Sequence, residues 1–185
     1  MKKYLIVNPF GIGDCLFTTP LVRSIKNESS ENIISYWCNE RVKEIFEAHP
    51  DIDKIFDLSR GDLKKIFEVS WWEGIKRSAF LFRQLKKEKF DVVFDFSLDH
   101  RYHLIEFFLG IKKRIGFNYK KRGFLLTDKI DLVGYSGKHV ADYYSQLLKF
   151  VDITPKTYNL ELFVSGRDQE RISNIFWRAG IVEND

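Results

Sequence analysis

Short apolar runs without polar alternation set the strongest limit on the fold of this chain. The clearest are residues 4–7 and 91–96, and the second ends in polar residues. Such runs are typical of strands buried on both faces of a parallel sheet. The segments between such runs carry apolar residues at helical spacing, so the sequence predicts strands that alternate with helices.

The predicted elements can be given by residue number. The strands are predicted at 4–7, 33–37, 52–58, 91–96, 114–117 and, briefly, 160–164. The helices are predicted at 15–26, 41–48, 63–89 with a break near Gly74, 102–109, 138–151 and 168–179. This alternation indicates the α/β class, as a Rossmann-like open parallel sheet with helices on both faces. Ligands of such sheets bind outside the carboxyl ends of the strands, so the loops after Asn8, Phe96 and Phe117 are the candidate sites.

Composition excludes several classes of protein. The 185 residues, 44% of them hydrophobic, suffice for one domain with a core. Cys15 and Cys38 form no disulfide framework or paired metal motif, which predicts a reducing, cytoplasmic location. The N-terminal apolar run is too short for a signal peptide, and no window approaches the roughly 20 residues of a spanning helix. A net charge of +4 with both signs dispersed does not indicate nucleic-acid binding.

The loop after the first strand contains two glycines and a carboxylate. Gly11 and Gly13 begin like a dinucleotide fingerprint, but Leu16 stands where the third glycine is required. The Gly-Lys-Ser/Thr ending of a phosphate-binding P-loop is also missing. We therefore expect the glycines to permit a tight turn and Asp14 to lie at the mouth of the sheet beside a helix start.

Two interpretations of Asp14 remain open at this point. As a helix N-cap it would contribute about 1 kcal/mol to stability, with Thr19 before Pro20 as the other candidate cap. As a general base it would accept a proton from a hydroxyl group. A base in this position suits direct displacement at an anomeric carbon.

Residues 8–26 resemble the opening signature of the family 9, heptosyltransferase-like glycosyltransferases. The match consists of Gly-Ile-Gly-Asp at 11–14 and Thr-Thr-Pro-Leu at 18–21. Further similarities follow in order at residues 49–55, 90–95, 114–117, 125–127 and 139–148. The resemblance thus extends over nearly the whole chain.

The resemblance implies an inverting enzyme of the two-domain GT-B fold. It would transfer heptose or a related sugar from a nucleotide sugar to the inner core of lipopolysaccharide or a similar glycan. Residues 1–165 would form the N-terminal, acceptor-side domain, and residues 166–185 a helix leading towards a donor-binding domain outside this chain. No cofactor is expected, and the ADP-heptose-like donor would bind mainly to that other half. The partners would be a glycolipid or oligosaccharide acceptor and, peripherally, the inner membrane surface, with no nucleic acid.

Site residues follow from the signature and from the strand ends. Asp14 is predicted to be the catalytic base, and no metal ligands are predicted. Substrate binding is predicted for Gly11, Gly13, Thr18, Asp99, Arg101, Lys120, Lys121 and Arg122. After the fourth strand the family tends to carry Gly followed by Arg-Ser, whereas this chain has Ser-Leu-Asp-His-Arg-Tyr at 97–102. Arg101 would retain the basic role there, but the identity of the acceptor is left open.

Two charged sets have competing interpretations. Cations at 112–114 and 120–122 surround a predicted strand, either as a solvated face or as a rim that attracts an acidic, lipid-linked acceptor. His100, His103 and Glu106 are spaced three apart, which suits either a metal or polar residues along a cleft or solvated face. Asp95, Asp99 and His100 are also candidates to bind acceptor hydroxyls.

Cys15, the two adjacent tryptophans and the alternative function each lead to an expectation. Cys15 is predicted to be a packing residue, and Trp71 and Trp72 belong either to the core or to a membrane interface. The alternative to a transferase is a non-catalytic module that binds an anionic glycan or a protein partner. A nucleotide-binding oxidoreductase is disfavoured by Leu16.

Overall fold

Six parallel strands form a single open sheet in the computed structural model, which describes residues 1–58 and 60–180. The strands are β1 (Lys3–Val7), β2 (Ile33–Trp37), β3 (Lys54–Phe56), β4 (Val92–Asp95), β5 (Lys113–Tyr119) and β6 (Asp128–Leu132). Their order is β3-β2-β1-β4-β5-β6, with every neighbouring pair parallel. The predicted Rossmann-like open parallel sheet is confirmed. Strand order reverses between β1 and β4, which places the expected ligand crevice at their carboxyl ends.

Helices cover both faces of this sheet. They are α1 (Ile12–Leu16), α2 (Thr19–Glu28), α3 (Glu40–Phe46), α4 (Arg60–Val69), α5 (Trp71–Glu88), α6 (His100–Leu109), α7 (Val140–Ser145), a 3₁₀ helix (Gln146–Val151) and α8 (Gly166–Arg178). Alternate residues of a strand face opposite sides, so β1 contributes to two cores. Ile6 packs with Leu21 and Tyr144 on one face, and Leu5 packs with Leu85 on the other.

Two predicted strand assignments differ from the structure. Strand β6 was not predicted, because it lies at the edge of the sheet and its sequence, Asp-Lys-Ile-Asp-Leu, is mostly charged. The strand predicted at 160–164 is wrong. That segment joins no strand and instead contacts α2, where Glu161 N–H donates to Thr19 Oγ1 at 2.9 Å and the Glu161 carboxylate pairs with Arg23 at 2.8 Å.

The helical segment 63–89 breaks at Ser70 and not near Gly74. Ser70 caps α5 by accepting a hydrogen bond from Glu73 N–H at 3.4 Å. Gly74 instead lies inside α5. A Cβ at this position would stand only 2.5 Å from the Phe67 ring. The glycine therefore permits close packing of α4 on α5.

Helix α8 confirms the helix predicted near the end of the chain. None of its described residues is buried, although it carries Ile172, Ile175 and Trp177. Its role as a connection to a second domain stays a prediction, and residues 181–185 lie outside the described part. Within the described ranges, no helix combines the length and apolarity needed to cross a bilayer.

Candidate active site

The loop after β1 is held in place by side-chain amides. Asn8 is fully buried, donates from Nδ2 to the Asp14 carbonyl at 3.0 Å and accepts from Phe10 N–H at 3.2 Å. Asn39, the N-cap residue of α3 after β2, donates to the carbonyl of Pro9 at 3.3 Å. These bonds fix the backbone that carries Asp14 at the carboxyl end of the sheet.

Asp14 does not cap a helix. It lies in the first turn of α1, whose N-cap position is taken by Gly11, and α2 has Thr18 at its N-cap with Thr19 already inside the helix. Both expected caps, Asp14 and Thr19, are therefore wrong. The Asp14 side chain is half-buried, and no described residue forms a hydrogen bond or ion pair with its carboxylate. The carboxylate is left available to accept a proton from a bound hydroxyl group.

Gly11 and Gly13 border open space beside Asp14. Gly11 has an ordinary extended conformation, with φ of −74°, and a Cβ on either glycine would meet nothing within 4 Å. The expectation that the glycines are needed for a tight turn is therefore wrong. Their small size instead leaves room next to the carboxylate.

Thr18 serves the interior of the protein. Its side chain is fully buried, with Oγ1 donating to the Cys15 carbonyl at 2.6 Å and lying 2.8 Å from the Tyr36 hydroxyl. Its predicted contact with substrate is not compatible with that burial. Cys15 is a packing residue as predicted, since it is fully buried and burial raises the pKa of its thiol to about 12.

Two tyrosines from the segment before and within α7 lie near Asp14. Burial is the main cause that raises the pKa of both Tyr135 and Tyr144, and the negative charge of Asp14 adds to it. Both phenols therefore stay protonated at neutral pH. Tyr135 is 39% exposed, so its hydroxyl can donate a hydrogen bond to a ligand held beside Asp14.

A cleft of about 520 Å³ lies at the carboxyl edge of the sheet. Its walls come from the segments that follow β1, β2, β3 and β4, and they include the cations Arg41, Lys64 and Lys65 together with Asp99. A larger hollow of about 1030 Å³ lies between α3 and the exposed helix α8, away from the strand ends. We take the smaller cleft as the candidate acceptor-binding region, because segments that follow β1 and β4 line it where strand order reverses. Asp14 is not among the described residues that line this cleft, although it lies in the helix that follows the same loop after β1.

The predicted residues after β4 separate in the structure. Asp99 caps α6 by accepting from Arg101 N–H at 3.1 Å, and it also lines the cleft. The Arg101 side chain is exposed and is not among the described residues that line the cleft. His100 is likewise on the surface, with its ring 6.2 Å from that of Phe124.

The two basic runs lie at opposite ends of β5. Lys120, Lys121 and Arg122 are exposed in the turn after the strand, at the carboxyl edge. Arg114 at the other end is structural, since its guanidinium donates to the Leu125 carbonyl at 2.8 Å and stacks on Phe107. A single rim of six cations is therefore not formed, and only the second run lies where ligands bind.

Solved structures that match this fold include glycosyltransferases. A family 9 glycosyl transferase from Veillonella parvula DSM 2008 matches 100% of this chain over 52% of its own length, with a TM-score of 0.79 and 17% identity. The fold is that of family 9 glycosyltransferases. E. coli ADP-heptose lps heptosyltransferase II matches 95% of this chain over 50% of its own, with a TM-score of 0.69 and 19% identity.

A third match has the same fold. E. coli heptosyltransferase WaaC, solved with ADP-2-deoxy-2-fluoro heptose, matches 84% of this chain over 50% of its own, with a TM-score of 0.69 and 16% identity. This chain thus spans about half the length of the structures that it matches. No protein-family model and no curated protein sequence matches it. The predicted resemblance to family 9, as half of a GT-B fold, is confirmed at the level of the fold.

Beneath the cleft, this chain contains a buried polar cluster of Asp95, His103 and Glu106. All three side chains are at most 1% exposed, and His103 Nε2 lies 3.6 Å from Asp95 Oδ1. Asp95 Oδ1 also accepts from the backbone N–H and the hydroxyl of Ser97, both at 2.6 Å. Asp95 therefore holds the loop that carries Asp99 and is itself too buried to bind acceptor hydroxyls.

The cluster also changes the interpretation of His100, His103 and Glu106. Helical spacing alone suggested one shared face, but His103 and Glu106 are buried while the His100 side chain is 45% exposed. Among the described residues, no group of three His, Cys, Asp or Glu side chains is arranged to hold a metal. Burial and the nearby Asp95 charge raise the pKa of Glu106 well above its ordinary value.

The cations of the cleft were not predicted from the sequence. Arg41 lies in α3 and Lys64 and Lys65 lie in α4, in segments that follow β2 and β3. Only the loops after β1, β4 and β5 had been considered as sites. The available signal was that all parallel strands end at one edge, so every segment that follows a strand can contribute to the same cleft.

Proposed function

We propose that this chain is the acceptor-side half of an inverting, heptosyltransferase-like glycosyltransferase of family 9. It would act in the transfer of heptose or a related sugar from a nucleotide sugar to the inner core of lipopolysaccharide or a similar glycan. The observation that carries the proposal is the Asp14 carboxylate, which pairs with no described residue, at the carboxyl edge of a fold that matches a family 9 glycosyl transferase. Two of the structural neighbours are heptosyltransferases by name.

The proposed reaction is a direct displacement. The acceptor hydroxyl lies beside Asp14, whose carboxylate takes its proton as the hydroxyl oxygen attacks the anomeric carbon. The bond from that carbon to the nucleotide diphosphate breaks, and its electron pair leaves with the phosphate oxygen. Attack from the face opposite the leaving group inverts the configuration. Space at Gly11 and Gly13 admits the hydroxyl, and the Tyr135 phenol can orient it.

The charge of the cleft supports an anionic acceptor. Arg41, Lys64 and Lys65 provide three cations in its walls against the two carboxylates of Asp62 and Asp99, and cations of this kind attract phosphate and carboxylate. Asp99 is placed in the same cleft to accept hydrogen bonds from sugar hydroxyls. A phosphorylated or acidic glycan satisfies both kinds of contact, in a cytoplasmic enzyme that works at the inner membrane surface.

Transfer itself is the direct test. A two-domain protein that carries this chain in front of a donor-binding half should release ADP from ADP-heptose only when a phosphorylated inner-core acceptor is present. The acceptor should gain the mass of one heptose. Acceptor binding without transfer, under conditions where a family 9 enzyme of known activity turns over, would instead favour the non-catalytic binding module.

The isolated chain should bind ADP-sugars weakly. In the proposed division of labour the donor contacts come mainly from the other half, so we expect dissociation constants weaker than about 1 mM. Isothermal titration calorimetry with ADP-heptose and this chain alone measures this directly. A micromolar site would contradict the division between an acceptor half and a donor half.

Replacing Lys120, Lys121 and Arg122 together with Gln should weaken acceptor binding about tenfold or more at low ionic strength. Exposed cations attract an anionic acceptor through a field that is screened within about 8 Å at physiological salt. The variant should therefore also show a flatter salt dependence when binding to a phosphorylated, acidic lipid-linked glycan is titrated.

The matched control for the basic turn is the double variant Lys112→Gln and Lys113→Gln. These residues begin the other end of β5, away from the carboxyl edge, and should leave binding unchanged. Equal binding of the triple variant and the parent at both low and high salt would show that the turn is only a solvated charged surface. The acceptor would then be held by the cleft residues alone.

A further inference from the structure

The turn between α4 and α5 projects two indole rings into solvent. Trp71 is 62% exposed and Trp72 is 75% exposed, and the neighbouring Val69 is 89% exposed. Among residues 67–80, all of which the structure describes, Gly74 alone is buried. The two helices therefore form an arm whose end, the indole tip of Val69, Trp71 and Trp72, makes no contribution to the core.

Inside the arm, the Trp71 ring lies 6.5 Å from the Phe67 ring, and Trp71 is still 62% exposed. The Phe67 ring packs against Gly74, where a Cβ would stand only 2.5 Å from it. Ser70 caps α5 at the tip itself. The helices are thus joined by a close contact and a cap, so the exposure of the tryptophans follows from the local structure.

The indole tip lies at the same edge of the sheet as the cleft. Helix α5 ends at the amino edge of the sheet. There the Glu88 carbonyl accepts a hydrogen bond from Lys3 Nζ at 3.1 Å, and the Glu88 carboxylate pairs with Lys54. Lys3 and Lys54 are the first residues of β1 and β3. The 18 residues of α5 span about 27 Å, whereas a five-residue strand such as β1 spans about 17 Å. The start of α5 therefore extends beyond the carboxyl ends of the strands, and α4 runs from the cleft to the tip.

The charges around the indole tip suit an anionic surface. Residues 60–77 contain five Lys or Arg and three Asp or Glu, which leaves a surplus of two positive charges. The exposed Lys64 and Arg77 form surface ion pairs with Glu68 at 3.7 Å and Glu73 at 3.3 Å. Tryptophan prefers the interface between lipid and water, and adjacent cations are attracted to anionic head groups. Helix α8 also carries an exposed tryptophan, Trp177. The hollow beside α8 is lined by four acidic and three basic residues, so that surface has no surplus of positive charge.

We propose that the indole tip inserts into the surface of an anionic lipid bilayer and so presents the cleft to an acceptor carried by that bilayer. The part about the acceptor rests on the function proposed above, whereas the lipid contact follows from the arm alone. Insertion at the tip places the entrance of the cleft, at the start of α4, about 15 Å from the head groups, the length of the ten residues of α4.

The test is binding of this chain to vesicles without any donor or acceptor. The chain should sediment with vesicles of phosphatidylcholine and phosphatidylglycerol, less with pure phosphatidylcholine, and its tryptophan emission should shift to the blue. The double variant Trp71→Ser and Trp72→Ser should lose about tenfold or more of this binding. Trp177→Ser, which removes an equally exposed indole from α8, should bind like the parent.

Three results would overturn the proposal. They are a parent that does not bind anionic vesicles, a Trp177→Ser variant that loses as much binding as the double variant, and a concentration-dependent dimer in ultracentrifugation that the double variant abolishes. The last result would show that a second copy covers the indole tip. Because no sugar is present, a failure here leaves the proposed transfer reaction untouched, and circular dichroism of the surface variants confirms their fold.

Discussion

Asp14→Asn, in a two-domain protein that carries this chain, is expected to lower glycosyl transfer by about 100- to 10,000-fold. Asn has the same shape as Asp but cannot take the proton of the acceptor hydroxyl. The melting temperature should change little, because the Asp14 carboxylate caps no helix and pairs with no described residue. Initial rates of ADP release and thermal unfolding of the same preparation measure both effects.

The matched control is Asp142→Asn. Asp142 occupies the first turn of the short helix α7 as Asp14 occupies that of α1, so its replacement removes the same kind of helix-start charge at another place. It should leave the rate unchanged. Full activity of Asp14→Asn, or a loss of activity that its loss of melting temperature explains, would show that Asp14 is a structural residue and not the base.

The second large effect expected is a pH-dependent stabilisation by Glu106→Gln. Burial, followed by the charge of Asp95, raises the pKa of Glu106, while Arg114 lowers it by a smaller amount. In the unfolded chain this pKa returns to about 4.3. Above that pH the unfolded state releases a proton that the folded state keeps, so unfolding becomes more favourable as pH rises. The free energy of unfolding falls by about 1.4 kcal/mol per pH unit until the pKa of Glu106 in the folded state is reached.

Gln does not ionise and keeps the size of the Glu side chain. The variant should therefore match the parent near pH 4.5 and become the more stable of the two as pH increases. The pH dependence of stability that Asp95 contributes has the opposite sign. Burial would raise its pKa, but interactions with His103, Glu106 and Ser97 outweigh burial and lower it, so its contribution is lost only at pH values below about 3.9. Measurements between pH 5 and pH 8 then report mainly on Glu106.

Urea unfolding at several pH values gives the free energies that are needed. The control is Glu47→Gln, because the Glu47 side chain is 57% exposed and should show no such trend. A difference between Glu106→Gln and the parent that does not vary with pH would mean that Glu106 is ionised in the folded protein. The buried cluster would then hold two negative charges side by side.

Much of the fold could be predicted from the sequence. A continuous apolar run must be buried on both faces, which locates β1, β2 and β4 to within a residue or two and requires helices on both sides of the sheet. Strand β6 could not be found in this way, because an edge strand is half exposed and its charged residues resemble a loop. Local patterns therefore identify central strands better than edge strands.

The site was predictable in part. The spacing after β1 located Asp14 at the carboxyl edge, since a strand, a short loop and a helix leave few other places for it. Only the tertiary structure decided that Thr18 is internal and that His103 and Glu106 turn inward beside Asp95. Burial depends on which element packs above a residue, and helical spacing does not contain that information.

Sequence by itself thus determined the parallel sheet, the carboxylate at its edge and the resemblance to family 9. The tertiary structure decided the cleft, whose cations come from α3 and α4, and the exposure of Trp71 and Trp72 at the end of an arm. The physical reason is one of range. Central strands follow from neighbouring residues along the chain, whereas a cleft and an exposed tip follow from contacts between segments that are far apart in the sequence.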